Sequence, residues 1–380
     1  MIDGANDPLP SSDGGTADGT DPSGAAGGRL AAGATPPPLA GLDGSPAPEV
    51  DCVLSSRVRL ARNMVGFTFV NRASPDELHE IVHRVQAARL GGPFESGTRW
   101  VNVQATGAEE RLLLFERNLI SRPFVESPHP RCVAISRDET TSVMVNEEDH
   151  LRLQMLAPGL QLRPLAERMF ALDQSLERSL EFAFHPRFGY LTACPTNVGT
   201  GIRLGAMLHL PALRMLEELP KVQRAAKDMH LAVRGFHGEG TEAIGDFYQV
   251  SNQNTLGRSE QDLVDEFTEV VVPRFVAYER AARRTLRERD VATLDDRVHR
   301  ALGILRACRL LSRDEAIKLL SRVRLGIAMG RISDVPLALV NRLLLEVQPA
   351  HLARAAGVPL RDADDRAARA EMVRNALRGA

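Results

Sequence analysis

Arginine is the residue type that could do chemistry here by its placement. The 47 basic residues comprise 44 Arg and three Lys (Lys221, Lys227 and Lys318). Arg57 and Arg59 stand two apart in Val53 to Leu60, a stretch that alternates polar and apolar toward its end, as a half-buried strand does. On a strand both point to one face. In residues 145–154 the same period aligns Asn146, Glu148, His150, Arg152 and Gln154, setting a carboxylate and a guanidinium four residues apart on a wholly polar face. Arg203 follows the turn Gly199-Thr200-Gly201, read as the start of a helix whose backbone N–H groups could seat an anion. Arg234 stands at the mouth of the loop Gly235-Phe236-His237-Gly238-Glu239-Gly240. Arginines converging from separate strands and turns suit a polyphosphate, because each offers bidentate, permanently charged hydrogen bonds. A loose phosphoryl-transfer transition state needs its charge held rather than attacked. The glycine-rich loop could close over such a site as a lid. A solvent-facing strand and scattered surface arginine would look the same, so the residues alone leave both readings open.

The elements that must position these residues can be read along the chain. Residues 1–48 hold ten of the 30 Gly and eight of the 23 Pro, with six Asp against one Arg, and read as a disordered acidic tail. Order is expected from about Val50. Ser74-Pro75-Asp76-Glu77 opens a helix with Ser as N-cap, Pro at N1 and Glu closing a capping box. Thr98 to Val103 and Arg111 to Phe115 read as short strands, and Thr140 to Gln154 as a long, partly alternating segment. Residues 161–232 read as mostly helical, interrupted by Gly189-Tyr190-Leu191-Thr192 and the turn at Cys194-Pro195. One more strand, Asp246 to Ser251, follows the glycine-rich loop. From Ser259 the pattern is helical nearly to the end, with a second capping box at Ser312-Arg313-Asp314-Glu315. Strands and helices mixed, then helices only, imply an α+β fold, an antiparallel sheet flanked by helices, followed by an all-helical C-terminal domain.

Composition and motifs exclude several classes. No apolar run approaches the ~18 residues of a membrane span, and the N-terminus lacks the basic start and apolar core of an export signal. Four scattered cysteines with no C-x-x-C argue for a reduced, cytoplasmic setting rather than a disulfide framework or zinc ribbon. A net charge of −2 argues against a dedicated nucleic-acid-binding domain. His79-Glu80-Ile81-Val82-His83 fits the zinc-peptidase pattern H-E-x-x-H. However, Leu78, Ile81, Val82 and Val85 form the buried face of that helix and no third ligand follows at a familiar spacing, so it reads as a solvated face and no metal site is expected from it. Gly199 to Gly205 misses the dinucleotide fingerprint by one residue, and there is no P-loop and no protein-kinase H-R-D or D-F-G set.

Four longer motifs decide between the open readings. Ser55-Ser56-Arg57-Val58-Arg59, Asn146-Glu147-Glu148-Asp149-His150-Leu151-Arg152, Cys194-Pro195-Thr196-Asn197-Val198-Gly199-Thr200-Gly201-Ile202-Arg203 and Arg234-Gly235-Phe236-His237-Gly238-Glu239 resemble the phosphagen (guanidino) kinases, in that family's order and spacing. Within the family the chain looks most like the bacterial protein-arginine kinases, to which Phe247 to Gly257, Asp296-Arg297-Val298 and Val323-Arg324-Leu325-Gly326 are similar. The resemblance implies a catalytic domain over residues 49–281 and a helical C-terminal domain over 282–380 for dimerisation or regulation. It also implies ATP with Mg as donor and a guanidinium as acceptor. On that resemblance Arg57, Arg59, Arg152, Arg203 and Arg234 hold the nucleotide phosphates. The surrounding Ser55, Ser56, Val58, Leu204, Gly205, Ala206, Met207, Gly235, Phe236, His237 and Gly238 complete the nucleotide site.

Glu148 and Glu239 would bracket the guanidinium, which has a pKa above about 12 and is no nucleophile until oriented and relieved of a proton. Glu147 is the weaker candidate, because strand alternation turns it away from Arg152. Cys194 matches the family's reactive cysteine, with a positioning rather than a covalent role. Asn118 stands where the family has a His near the adenine. The family's C-terminal phosphoarginine-binding pattern R-D-x-x-R-A is matched only with its first two residues inverted, as Asp365-Arg366-Ala367-Ala368-Arg369-Ala370. The function implied is phosphorylation of arginine on protein substrates, marking them for a Clp-type unfoldase–protease, by a homodimer in the cytoplasm as part of stress response and protein quality control. The alternative is a kinase of small guanidines. Metabolic members place a helical domain ahead of the S-S-R-V-R motif, and residues 1–48 are too short and too rich in Gly and Pro for one.

Overall fold

A computed structural model describes residues 46–235, 243–357 and 362–379. The expected N-terminal tail lies outside the described residues up to position 45, as do Phe236, His237, Gly238 and Glu239 of the glycine-rich loop.

Ten strands are described, β1 (Val53–Arg62), β2 (Thr98–Asn102), β3 (Cys132–Ser136), β4 (Thr141–Val145), β5 (Leu151–Pro158), β6 (Phe184–His185), β7 (Gly189–Tyr190), β8 (Ile202–His209), β9 (Leu231–Gly235) and β10 (Phe247–Asn252). The helices in the first part of the chain are α1 (Pro75–Ala87), α2 (Ala108–Glu116), α3 (Arg122–Glu126), α4 (Leu162–Glu177), α5 (Pro211–Met215) and α6 (Leu219–Asp228). They are followed by α7 (Glu260–Glu266), α8 (Val272–Arg289), α9 (Val291–Ala307), α10 (Arg313–Ala328), α11 (Leu337–Glu346), α12 (Pro349–Ala356) and α13 (Asp362–Arg378). Eight strands form one antiparallel sheet in the order β2-β3-β4-β5-β1-β8-β10-β9, and β6-β7 is a separate hairpin. No described helix is long and apolar enough to cross a membrane.

Strand alternation divides the sheet into two faces. Val58, Leu60, Leu204 and Ala206 point into the largest core cluster, against Ile81 and Val85 of α1 and Leu165, Met169 and Leu172 of α4. On the opposite face the two ends are covered and the middle is not. At the β2–β3–β4 end, Val133, Ile135 and Met144 pack on Leu113 and Leu114 of α2 and Phe124 of α3. At the β8–β10 end, Met207 and Phe247 join the core of the C-terminal helices, among them Leu320 and Val323 of α10. Ala350 of α12 belongs to the α2–α3 cluster, so the C-terminal helices reach across from one end of this face to the other.

Several sequence expectations give way to tertiary context. Arg111 to Phe115 is helical, not a strand: the short apolar run fits either period, and α2 buries Leu113 and Leu114 with Glu109 and Glu110 in its first turn. Thr140 to Gln154 is two strands joined by a turn, because Asn146 takes a left-handed conformation (φ 62°). The helical reading of 161–232 fails most at Ile202–His209, which is the strand β8. Every residue of β8 but Arg203 is buried, and Ala206, Met207 and Leu208 run apolar without alternation, which blurs the strand period. Arg203 therefore lies on a strand, and the turn before it presents no helix N-terminus. Its glycines serve close packing instead: Gly201 has φ 66°, and a Cβ there would come within 2.7 Å of Ala61 O and 2.8 Å of Arg62 Nη1. The capping box at Ser74 and Glu77 is present, whereas at Ser312 only the half donated by Glu315 N forms.

Beneath that turn Arg62, 1% exposed, donates to both oxygens of Asp173 on α4 (2.7 Å at the shortest) and to Thr200 O (2.9 Å), with its guanidinium 3.5 Å from the centre of the Tyr190 ring. Removing one partner of a buried pair strands the other charge. Asp173→Ala is expected to lower unfolding free energy by about 3–5 kcal/mol, and Glu80→Ala in the exposed Glu80–Arg84 pair by less than about 1 kcal/mol. Equal effects in chemical denaturation would contradict the anchoring role of Arg62.

Candidate active site

The uncovered middle of the sheet is where the arginines emerge. Arg59 is opposite Gln154 of β5 on one side and Arg203 of β8 on the other, and Arg57 is opposite Leu156 and Gly205. Arg152 lies two residues along β5 from Gln154. Arg234 of β9 is opposite Gln249, which is opposite Met207 of β8. This register puts all five on one face. They line a cleft of about 2420 Å³, together with Ser55, Asn118, Glu147, Glu148, Cys194 and Met207.

The cleft is electrostatically loaded. Although the tips of Arg57 and Arg59 open on it, enough protein surrounds them that desolvation pushes Arg57 down to about 10. Arg59 is pushed well below the usual range by desolvation first and then by repulsion from Arg57, Arg152 and Arg203. Arg59 Nε is buried with no hydrogen-bond partner among the described residues. An orphaned donor among crowded guanidinium groups fits a polyanion.

The turn between β4 and β5 presents the carboxylates. Asn146 Nδ2 donates to Leu78 O and Pro130 O, each at 2.9 Å. His150 Nε2 donates to Thr68 O (2.9 Å), leaving Nδ1 to accept from Met64 N (3.0 Å). Asp149 Oδ1 accepts from Asn63 Nδ2 and from Ala193 N, both at 2.7 Å. The last of these bonds ties the Glu148 turn to the loop that carries Cys194.

Glu148 is half exposed, and Arg152 Nη2 donates to it at 3.0 Å. Its carboxyl is pushed up by burial against the opposing pull of Arg152, toward a proton-accepting role. Glu147 corrects the sequence expectation. It sits on a turn rather than a strand, so alternation does not apply, and its Oε2 lies 2.6 Å from Arg152 Nη1. With Ser121 Oγ (2.5 Å) and Glu148 N (2.8 Å) also donating to it, Glu147 fixes Arg152 and the turn. Cys194 Sγ lies 3.1 Å from Thr196 Oγ1 at the cleft wall.

Other expected site residues are placed elsewhere. Val58, Leu204 and Ala206 send their side chains into the core behind the sheet, and Gly235 is buried opposite Tyr248. Ser56 Oγ donates to Gly159 O and accepts from Gln161 N, a structural role. Gly205 lies on the cleft face beside Arg57. Near the C-terminus, Arg369 is 1% exposed and committed to Asp365 (2.7 Å), Val347 O (2.8 Å) and Leu311 O (3.1 Å). Ala370 is core and Arg366 is exposed. This motif holds α13 against its neighbours, and Arg369 has no guanidinium face turned to a ligand. The H-E-x-x-H segment is a solvated face, with His79 Nδ1 against Pro75 O and Glu80 paired to Arg84.

Residues 80–282 match the model of the ATP:guanido phosphotransferase C-terminal catalytic domain, and residues 291–380 that of the Protein-arginine kinase McsB C-terminal domain. The chain belongs to the ATP:guanido phosphotransferase family. Its relatives in this family include the protein-arginine kinases of Moorella thermoacetica (43% identity, covering 89% of this chain and 97% of that one) and Pelotomaculum thermopropionicum (40%, 82% and 88%). In fold it is similar to lombricine kinase (TM-score 0.53, 23% identity, 62% of this chain and 71% of that one). It is also similar to the duplicated taurocyamine kinase from Schistosoma mansoni with bound transition-state analogue components (TM-score 0.55, 26% identity, 70% and 38%).

Asn63, Asp149 and Arg62 were not among the expected site residues, although each shapes this guanido-phosphotransferase site. The polar side chains stood in or beside the quoted motifs, but only the long-range bonds of Asn63 to Asp149 and of Arg62 to Asp173 disclose their use. With Glu148 displaced upward, the acid limb of the pH–rate profile for phosphoryl transfer should lie above that of an ordinary carboxylate. Glu148→Gln should abolish the limb and lower kcat roughly 10²-fold or more. An unmoved limb in that variant would remove Glu148 from proton transfer.

Proposed function

We propose that this chain is a protein-arginine kinase, transferring the γ-phosphoryl group of ATP to the guanidinium of arginine in protein substrates. The observation that carries this reading is the match of residues 291–380 to the C-terminal domain named for protein-arginine kinase, joined to a catalytic domain with its arginines on one open face.

Arg57, Arg59, Arg152, Arg203 and Arg234 bind the phosphates and hold the charge that spreads over the transferring group. Glu148, with Glu239 of the loop beyond β9, orients the acceptor plane and takes the proton. The bond from the γ-phosphorus to the β,γ-bridging oxygen breaks, a P–N bond forms, and the guanidinium proton passes to carboxylate oxygen. Cys194 borders the acceptor and aids its placement. Among the described residues no group of three His, Cys, Asp or Glu converges as a metal cage. Mg²⁺ bound with the nucleotide would supply neutralisation of charge on the donor phosphates. Glu147 and Glu148 are the carboxylates nearest the phosphate arginines and would share in holding it.

Three finer proposals rest on the sequence resemblance. They are that the phosphorylated proteins pass to a Clp-type unfoldase–protease, that the chain works as a homodimer, and that it acts in the cytoplasm. The domain division, residues 49–281 for transfer and 282–380 for regulation or dimerisation, belongs to the same reading.

Incubated with Mg-ATP and an unfolded protein, the chain should form acid-labile phosphate on arginine, with little turnover of the free amino acid. Mass spectrometry under neutral conditions reads both. Turnover of free arginine at a rate equal to or above that on protein would instead favour a small-guanidine kinase.

A further inference from the structure

The arginine face has two distinct ends. Along β1 it runs from Leu54 and Ser55 through Arg57 to Arg59, and antiparallel β5 runs back from Pro158 to Arg152. The Arg152 end carries Glu148 and Cys194 and receives the acceptor. The Leu54 end carries Asn118, whose Oδ1 accepts from Arg57 Nη2 at 3.2 Å. With the phosphates on the arginines between, the base of the donor falls at the Leu54 end.

That end is not bare sheet. Pro336, Leu339 and Leu345 of the C-terminal helices line the same cleft as Leu54 and Asn118. Beside this cleft the roof they make is tied to α2 by a clasp at Glu116. Glu116, the last residue of α2 and 5% exposed at its side chain, accepts from three donors of α12: Ala350 N (2.9 Å), His351 N (3.1 Å) and His351 Nδ1 (2.8 Å). The carboxylate thus caps the helix N-terminus, where two otherwise unpaired N–H groups and the helix dipole favour negative charge. The next residue, Arg117, donates to Glu139 Oε2 (2.9 Å) and to His351 Nε2 (3.4 Å), and the one after it is Asn118 in a left-handed conformation (φ 59°). Three consecutive residues therefore clasp the C-terminal helices, the β3–β4 turn and a phosphate arginine.

We infer that the C-terminal helices form the roof of a purine-base subsite at this end of the cleft, and that Glu116 is the positioning residue that holds the roof over it. Leu54 of the sheet and Leu339 and Leu345 of α11, all lining this cleft, supply apolar surface for a flat base, and Asn118 supplies a polar edge. The inference rests on ATP being the donor and is independent of the acceptor.

Equilibrium dialysis of the full chain with ATP, and separately with inorganic tripolyphosphate, tests it without any acceptor present. Tripolyphosphate needs the arginines but no roof. Glu116→Ala is expected to raise the Kd for ATP about tenfold, ~1.4 kcal/mol of binding, and to change that for tripolyphosphate less than twofold. Leu345→Ser, which alters the roof and leaves the clasp intact, should show the same selectivity. It decides the matter alone if Glu116→Ala fails to fold. Equal weakening of both ligands, or no change in either, overturns the inference. Failure of the unaltered chain to bind ATP would instead overturn the donor reading on which it rests.

Discussion

Crowded positive charge is the constraint on which the rest of this molecule turns. Arg57 and Arg59 are both pushed down by desolvation, and Arg59 further by repulsion from Arg57, Arg152 and Arg203. Arg57 and Arg59 do not favour folding: desolvation penalises both guanidinium groups, and repulsion adds to it at Arg59. The cluster persists because its members are built into β1, β5 and β8, the adjoining strands of an eight-stranded sheet whose opposite face is the largest core of the protein. Burial on one face holds the register, and the register holds the charges. A bound polyphosphate would add counter-charge beyond the Glu147 and Glu148 carboxylates that engage Arg152.

The surroundings can be understood as fixing what approaches that field. The clamp of Asn63, Asp149 and Ala193 joins the carboxylate turn to the cysteine loop, so Glu148 and Cys194 are set by one set of bonds. Glu147 engages Arg152 and thereby leaves Glu148 as the more exposed carboxylate, free to meet an acceptor. At the other end the C-terminal helices cover the sheet through the clasp at Glu116. The cleft thus has two chemically distinct ends, a carboxylate turn at Glu147 and Glu148 and an apolar wall that includes Leu54, Leu339 and Leu345.

Much of this was legible in the sequence, and the gaps have physical causes. Arg57 and Arg59 were placed on one face by strand period alone, and the Ser74 cap and α1 by local rules that tertiary packing left undisturbed. The whole motifs carried the family and the α+β fold followed by helices. What failed was local reading of segments whose conformation is set from a distance. The central strand β8 is buried at every position but Arg203, which blurs its alternation, so a local reading puts Arg203 on a helix. Asn146 breaks the 140–154 segment because its side chain bonds to Leu78 O and Pro130 O, far along the chain, so strand alternation is the wrong reason for aligning Glu148 with Arg152 and for ranking Glu147 as the weaker candidate. Arg369, in a C-terminal motif that matches the phosphoarginine-binding pattern only with its first two residues inverted, is bonded to Asp365 and to main-chain carbonyls that no sequence pattern reveals.

The arginine cluster is a cost in the unliganded protein and an asset when polyphosphate binds. Thermal unfolding of Arg59→Met, with and without ATP, addresses it most directly. The unliganded variant should melt at or above the temperature of the parent chain, since a desolvated charge is removed. The upward shift that ATP gives the parent chain through mass action should be lost. A variant that melts lower without ligand and still gains the full shift from ATP would contradict the claim.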